Sequence, residues 1–479
     1  MINTAGLLFL ITPFSSSLLN DPSSCLHGNF YGNYRDGDSL HSIFIADEPC
    51  LTGDSWPSQS FLPSSIVGPL ATNNGMDQLV WVEEQAVDAL LKAESSSLLD
   101  FWAFLDRLDP SFTARMNQGV LSPADLDIEL WKTVYYRTET AALISVARDT
   151  VHNLDSILPR YWKATPLPTT PVEFVPVPPS AVDPVRRILA NLKYDGVIDE
   201  LVNSISIPQM KNDIRFLTGE DSQSGIMSRH SFAEGSRTAA KWLKERFEDT
   251  GASCELKDFL VGFAPNVVCR YEGTSNTTEL ILISAHYDSR GSFGSTRAPG
   301  GDDDGSGTTA LLGIARAIGR SGLKFKANVE LVAFAGEEQG LYGSKAYSRE
   351  LRSTNANLTL MIQADMLAYH DPSEPAQLGL PDLIGTPEVT QLVANVSAIY
   401  SPELEVGFTP ACCSDHQSFH EQGFPATQVF ERAGPILDPM YHNSGDLSGR
   451  SGYDFDQLKS IAKVQFATLL HSAGFELEP

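Results

Sequence analysis

At 479 residues the chain is longer than one ordinary hydrophobic core accommodates, so two or three domains are expected. Its 34 Lys and Arg stand against 60 Asp and Glu, a formal charge of −26. An excess of this size repels nucleic acid and anionic membrane, and excludes both as partners on electrostatic grounds.

In chain order, residues 5–14 form an apolar run followed by Ser15-Ser16-Ser17. The run is too short for a membrane span of about 20 residues and resembles the core of a secretory signal peptide within residues 1–19, although no Lys or Arg precedes it. No other stretch is long and apolar enough to cross a bilayer. Residues 20–75 are rich in Ser, Pro, Gly and Asn and read as irregular. Two helical patterns follow, over 79–108 and 123–154, with Trp81, Phe101, Trp102, Leu105, Trp131, Val134 and Tyr135 on an apolar face. Residues 20–158 are thus expected to form a mainly helical N-terminal region of propeptide-like or accessory character. Residues 159–184, with Pro166, Pro168, Pro171, Pro176, Pro178 and Pro179, suit neither a helix nor a central strand and read as an extended linker. No internal repeat is visible.

From residue 185 onward strands and helices alternate. Helices are expected over 236–250, closed by Gly251, and over 306–320, 341–351 and 454–472. Between them lie Ile-, Val- and Leu-rich runs that end in His286, in Glu337-Glu338 and in Asp365. Short apolar runs of this kind are buried strands, so 185–479 is expected to be an α/β three-layer sandwich with a mixed, largely parallel central sheet. Ligands bind such sheets beyond the carboxyl ends of the strands.

Six cysteines fit an oxidising compartment, with Cys25–Cys50 and Cys254–Cys269 as plausible pairs and Cys412 beside Cys413. Three glycosylation sequons, at Asn276, Asn357 and Asn395, are usable only in the secretory pathway. Together with the N-terminal run they point to a secreted protein.

The chemistry concentrates in five side chains, His286, Asp303, Glu338, Asp365 and His442. Zinc takes imidazole nitrogen and carboxylate oxygen, and two His with three carboxylates serve two metals if one carboxylate bridges. Asp303 is the natural bridge, because glycines on both sides of Asp302-Asp303-Asp304 let backbone approach closely and a helix begins at once. Taken alone, an acidic run is a solvated turn and a Glu pair a surface feature. Glu337-Glu338 at the end of a buried strand is different, since adjacent carboxylates repel unless a cation offsets them. One of the pair would ligate and the other act as general base. Asp288 stands two residues from His286, where it would orient the imidazole. Ser414-Asp415-His416 reads as a buttress, because the members of a nucleophilic triad are not expected side by side.

His-Tyr-Asp-Ser at 286–289, Gly-Gly-Asp-Asp-Asp-Gly-Ser-Gly at 300–307, Gly-Glu-Glu-Gln-Gly-Leu-Tyr-Gly-Ser at 336–344, Gln-Ala-Asp-Met at 363–366, Ser-Asp-His at 414–416 and Tyr-His at 441–442 resemble the co-catalytic zinc aminopeptidases of the secreted leucine-aminopeptidase type. These are related to glutamate carboxypeptidase and to the transferrin-receptor protease-like domain. The resemblance covers 185–479 and implies two zinc ions per chain bridged by Asp303. His286 and Asp365 would complete one metal, and Glu338 and His442 the other. Glu337 would be the general base, Asp288 the partner of His286, and peptides with a free N-terminus the substrates. The chain departs from the pattern where many relatives place a tyrosine two residues before the Cys-Ser-Asp-His element, because Ala411 stands there and Thr409 replaces a further cysteine. Two other readings compete: a glutaminyl cyclase-like acyltransferase with a single zinc, and a non-catalytic peptidase-like interaction domain. Metal stoichiometry separates the first, and the presence of all five ligands with Glu337 argues against the second.

Overall fold

The computed structural model describes residues 6–19, 24–52, 64–70, 77–95, 131–148, 151–156, 158–292, 295–411 and 413–477. The chain divides into two compact units, Met1–Gln85 with Ala89–Pro176, and Ala86–Asp88 with Val177–Pro479.

Unit 1 is built from strands. β1 (Leu7–Pro13), β2 (Phe30–Asp36), β3 (Ser39–Asp47) and β4 (Ile66–Pro69) form one antiparallel sheet in the order β2-β3-β1-β4. β5 (Asp77–Glu84), β6 (Trp131–Arg137), β7 (Ala141–Ala147) and β8 (Trp162–Pro166) form a second antiparallel sheet in the same relative order, β6-β7-β5-β8. A shared core joins Phe9, Ile11, Tyr34, Ile43 and Ile45 of the first sheet to Trp81, Tyr136, Ala141 and Leu143 of the second.

Two expectations are corrected here. The N-terminal region is not mainly helical over its described part. Residues 77–84, 131–137 and 141–147 are strands, although a helix does cover Ala89–Ser95, and residues 96–130 lie outside the described set. The misreading has a physical cause: Val80, Trp81 and Val82 are all fully buried, so both faces of β5 are apolar and no two-residue alternation marks the strand. Within residues 5–14, β1 is paired on both sides, with Phe9, Leu10 and Ile11 buried. Nor is 159–184 a free linker. β8 lies at a sheet edge, where proline is tolerated, Phe174 is buried in a cluster with Phe30 and Phe44, and the units divide at Pro176.

Unit 2 carries the expected α/β fold. β9 (Ser253–Lys257), β10 (Asn266–Tyr271), β11 (Glu279–His286), β13 (Asn328–Phe334), β14 (Asn357–Ala364) and β17 (Ala426–Val429) form a six-stranded sheet in the order β17-β14-β11-β13-β10-β9. The first four in that order run parallel, and β10 is antiparallel to both of its neighbours, β13 and β9. Two small pairings accompany it, β12 (Leu323–Phe325) with β18 (Phe475–Leu477), and β15 (Gln377–Pro381) with β16 (Glu405–Thr409). Alternation within β11 shows the three layers. Ile281, Ile283 and Ala285 pack with apolar residues of helices Glu234–Glu248, Gly305–Ser321 and Phe455–Ala473, whereas Leu280 and Leu282 pack with Tyr347, Leu351 and Phe419.

Cys25–Cys50 and Cys254–Cys269 are disulfides, and Cys413 is disulfide-bonded as well. Among the described residues, no helix is long and apolar enough to cross a membrane.

Candidate metal centre

β11, β13 and β14 lie side by side and parallel, so their carboxyl ends open onto one crevice. β11 ends in His286, β13 leads through Ala335 and Gly336 into Glu337-Glu338, and β14 leads directly into Asp365. This is where a doubly wound sheet places its ligands.

The fourth contribution, Asp303, comes from the turn that opens helix Gly305–Ser321. Asp304 caps that helix by accepting from Gly307 N (2.8 Å), and it also accepts from His286 N (3.1 Å) and Met366 N (3.2 Å). One carboxylate thus ties together the segments that carry three of the five predicted ligands. The turn is pinned from two further sides. Asp446 accepts from the amides of Asp302 (3.0 Å) and Asp303 (3.1 Å). Arg229, fully buried, donates to the carbonyls of Tyr287 (2.7 Å), Leu217 (3.1 Å), Gly300 (2.7 Å) and Pro299. Gly300 has φ +55°, and a Cβ there would lie 2.4 Å from the Asp303 carbonyl oxygen, so only glycine fits.

All five predicted ligands converge, in two groups that share Asp303. Its Oδ1 lies 3.3 Å from His286 Nε2 and its Oδ2 lies 3.3 Å from His442 Nε2. Asp365 Oδ1 is 3.6 Å from His286 Nε2, and Glu338 Oε2 is 3.2 Å from His442 Nε2. Within each group, His286–Asp303–Asp365 and Asp303–Glu338–His442, the donor atoms lie within 4.8 Å of one another.

The donor set fits zinc. His286 Nε2 and Glu338 Oε1 are buried without a hydrogen-bond partner, a costly state that a cation would relieve. Burial opposes charge on both Asp303 and His286. Even so, His286 and His442 hold the Asp303 carboxyl well below its usual range, and Asp288, Asp303 and Asp365 hold the His286 ring well above its own. Burial, with Asp365 and Asp303 nearby and His286 opposing, pushes Asp304 well up. The pocket therefore concentrates negative charge that only cations offset.

Two non-glycine residues at the centre have left-handed backbones, Met366 (φ 51°) and His442 (φ 50°). Such conformations cost about 1–3 kcal/mol and persist where the surroundings over-determine them, often at functional sites. The Tyr441 ring stacks on His442, with centroids 3.8 Å apart.

Asp288 does more than face His286. Its carboxylate stands 3.5 Å from His286 Nδ1, while its main-chain oxygen is nearer at 3.2 Å. The same carboxylate accepts from Ser231 Oγ (3.0 Å) and from the amides of Glu337 and Glu338 (3.3 Å each), which fixes the turn that presents both glutamates. Glu337 is 4 % exposed at the same strand end. Ser414-Asp415-His416 forms no triad: Asp415 accepts from Gln363 Nε2 (3.2 Å), and the His416 ring bonds the Ile384 carbonyl (3.1 Å). Ala411 brings no hydroxyl, and the Thr409 hydroxyl is spent on Gly434 O (2.7 Å).

The sequence reading missed Arg229, Asp304 and Arg290. Asp304 had a signal, since it directly precedes a helix and Asp is a favoured N-cap. The two arginines had none.

The profile of Peptidase family M28 matches residues 266–468. A probable leucine aminopeptidase of Arthroderma otae is 27 % identical over 288 residues, which cover 57 % of this chain and 74 % of that protein. Leucine aminopeptidase 1 of Sclerotinia sclerotiorum is 29 % identical over 249 residues, 47 % of this chain and 63 % of its own. Among solved structures, the LapA aminopeptidase of Legionella pneumophila superposes with a TM-score of 0.59 at 17 % identity, covering 84 % of this chain and 99 % of that one. LapB from the same organism gives 0.57 at 16 % identity, with 83 % and 100 % covered. At these identities the structures speak for the fold alone.

Proposed function

We propose that this chain, whose residues 266–468 match the profile of Peptidase family M28, is a secreted metallo-aminopeptidase using two zinc ions, one held by His286, Asp303 and Asp365 and the other by Asp303, Glu338 and His442. The observation that carries the proposal is the placement of Asp303, whose two carboxylate oxygens each lie 3.3 Å from a different histidine. A single-zinc acyltransferase needs no such shared carboxylate.

When bound, the metal pair supplies Lewis acidity toward the scissile carbonyl and toward a water. The remaining work belongs to the chain. Glu337 accepts the proton of the attacking water on its carboxylate and returns it to the leaving amine. Its placement comes from Asp288, which holds the amides of both glutamates. Burial of Glu337, Glu338 and Asp303 keeps bulk water from screening these charges.

The disulfides agree with passage through the secretory pathway. Asn276 and Asn357 are exposed, and Asn357 Nδ2 donates to Thr278 Oγ1 (3.3 Å) near the amino ends of β11 and β14. Glycans there would stand at the end of the sheet away from the crevice. Asn395 lies within helix Pro387–Tyr400 and its sequon partner Ser397 is fully buried, so we assign no glycan to it. Unit 1 is assigned an accessory or propeptide-like role.

The test is a panel of aminoacyl anilides assayed beside their N-acetylated forms. Turnover of the free-amine series alone, lost with a chelator and restored by zinc, supports the proposal. Equal turnover of the acetylated series contradicts it.

A further inference from the structure

Three residues from the middle of the N-terminal sequence belong to unit 2. Ala86–Asp88 is flanked in the chain by Gln85 and Ala89 of unit 1, yet it is part of the same compact unit as Val177–Pro479. Within that unit Val87 forms a parallel bridge with Ile436. Asp88 N donates to Ile436 O and Ile436 N donates to Ala86 O, both at 2.8 Å. Val87 and Ile436 are buried. Side chains tie the same two stretches through Arg432. Its Nη1 reaches Asp88 Oδ2 (3.2 Å) and Pro435 O (2.8 Å), while Nε and Nη2 take both oxygens of Glu374 (2.8 and 2.6 Å).

The bridge lies on the path to His442. Residues 430–441 leave β17 and run to His442 without a helix or strand of their own. Buried backbone groups in such a stretch need partners from outside it. Phe430 finds them in Gly379 of β15 (2.7 and 3.0 Å), and Ile436 finds them in Ala86 and Asp88. Asp438 anchors the far end, accepting from Met440 N (2.8 Å) and Arg450 Nη2 (2.5 Å). Arg450 Nη2 also reaches Asp446 (3.0 Å), which holds the amides of Asp302 and Asp303. Without Ala86–Asp88, the amide and carbonyl of buried Ile436 would lose these partners just before the chain enters the crevice.

We infer that Val87 and Asp88 are positioning residues of the catalytic unit: the strand Ala86–Asp88 fixes the segment that delivers His442 to the crevice, so this part of the N-terminal sequence is a permanent component of the enzyme and not a removable propeptide. The inference rests on the metallo-aminopeptidase reading above and narrows the role left to the N-terminal region. A misplacement of about 1 Å caused far from the reacting atoms can cost about 100-fold in rate, which bounds the expected loss.

The full-length protein carrying Val87→Gly and Asp88→Ala together tests it. Amide hydrogen exchange over residues 430–441 should be at least about tenfold faster than in the wild type, while β11 and β14 keep their rates. On a free-amine anilide kcat should fall at least about tenfold, with KM within about twofold of the wild type. Val87→Ile with Asp88→Glu keeps an apolar side chain and a carboxylate, and should restore both protection and kcat. If the first double variant does not fold, Asp88→Ala alone, which leaves Val87 in place, should move both readouts in the same direction. Exchange that quickens evenly across unit 2, an unchanged kcat in a folded variant, or an unprotected Ile436 amide in the wild type would each overturn the inference. A wild type that turns over no free-amine substrate would instead overturn the aminopeptidase reading, and the exchange result would still decide the bridge.

Discussion

Replacing Arg229 with Met would test whether the turn that carries Asp303 is held from behind by a buried cation. The guanidinium donates to four carbonyls, those of Tyr287, Leu217, Pro299 and Gly300. Gly300 O keeps a second donor, the Gly305 amide at 3.0 Å, so three carbonyls are affected most. An unsatisfied buried acceptor costs about 1–3 kcal/mol, which gives a gross loss of about 3–9 kcal/mol. Part of this is recovered, because burial already opposes the charge on Arg229 and holds its pKa below the usual arginine value. The expected net loss is about 3–5 kcal/mol, confined to unit 2. Denaturant unfolding followed by probes in each unit reads it, together with the zinc content of the folded variant, which should fall as Asp303 loses its setting. An Arg229→Met protein within about 1 kcal/mol of the wild type and with full zinc would refute the reasoning.

Two further outcomes follow from the geometry. Glu337→Gln keeps shape but removes the proton acceptor, so kcat should fall at least about a hundredfold with zinc content unchanged; a variant that keeps most of its activity would show that Glu337 is not the base. His416 is buried and its ring is pushed down to about 3 from 6.5, first by burial and then by His420. A folded pKa below the unfolded one means that the unfolded chain binds the extra proton between those values. Stability should therefore be unaffected by this group above pH 6.5 and fall by about 1.4 kcal/mol per unit as pH drops from 6.5 toward 3. His416→Gln should flatten that acid limb in equilibrium unfolding, and an unchanged slope would contradict the assignment.

What the sequence disclosed, it disclosed through patterns that survive without tertiary context. β11, β13 and β14 were legible because each is a short apolar run ending abruptly in His286, Glu337-Glu338 or Asp365. Their parallel adjacency then brought the ligand set together. β1 and β5 were not legible as strands. Phe9, Leu10 and Ile11, like Val80, Trp81 and Val82, are buried on both faces, so a leader core or a buried helix gives the same pattern. The arginines escaped for another reason. Arg229 acts through carbonyls from four separate positions and Arg290 through a histidine 152 residues away, and only the folded chain makes those meetings.

The central claim is that one carboxylate serves both metals, and Asp303→Ala addresses it directly. Zinc measured by mass spectrometry on the dialysed, folded variant, with turnover on the same sample, should show that both equivalents and the activity are lost together. Retention of two zinc ions, or of one ion with substantial activity, would contradict a bridge at Asp303.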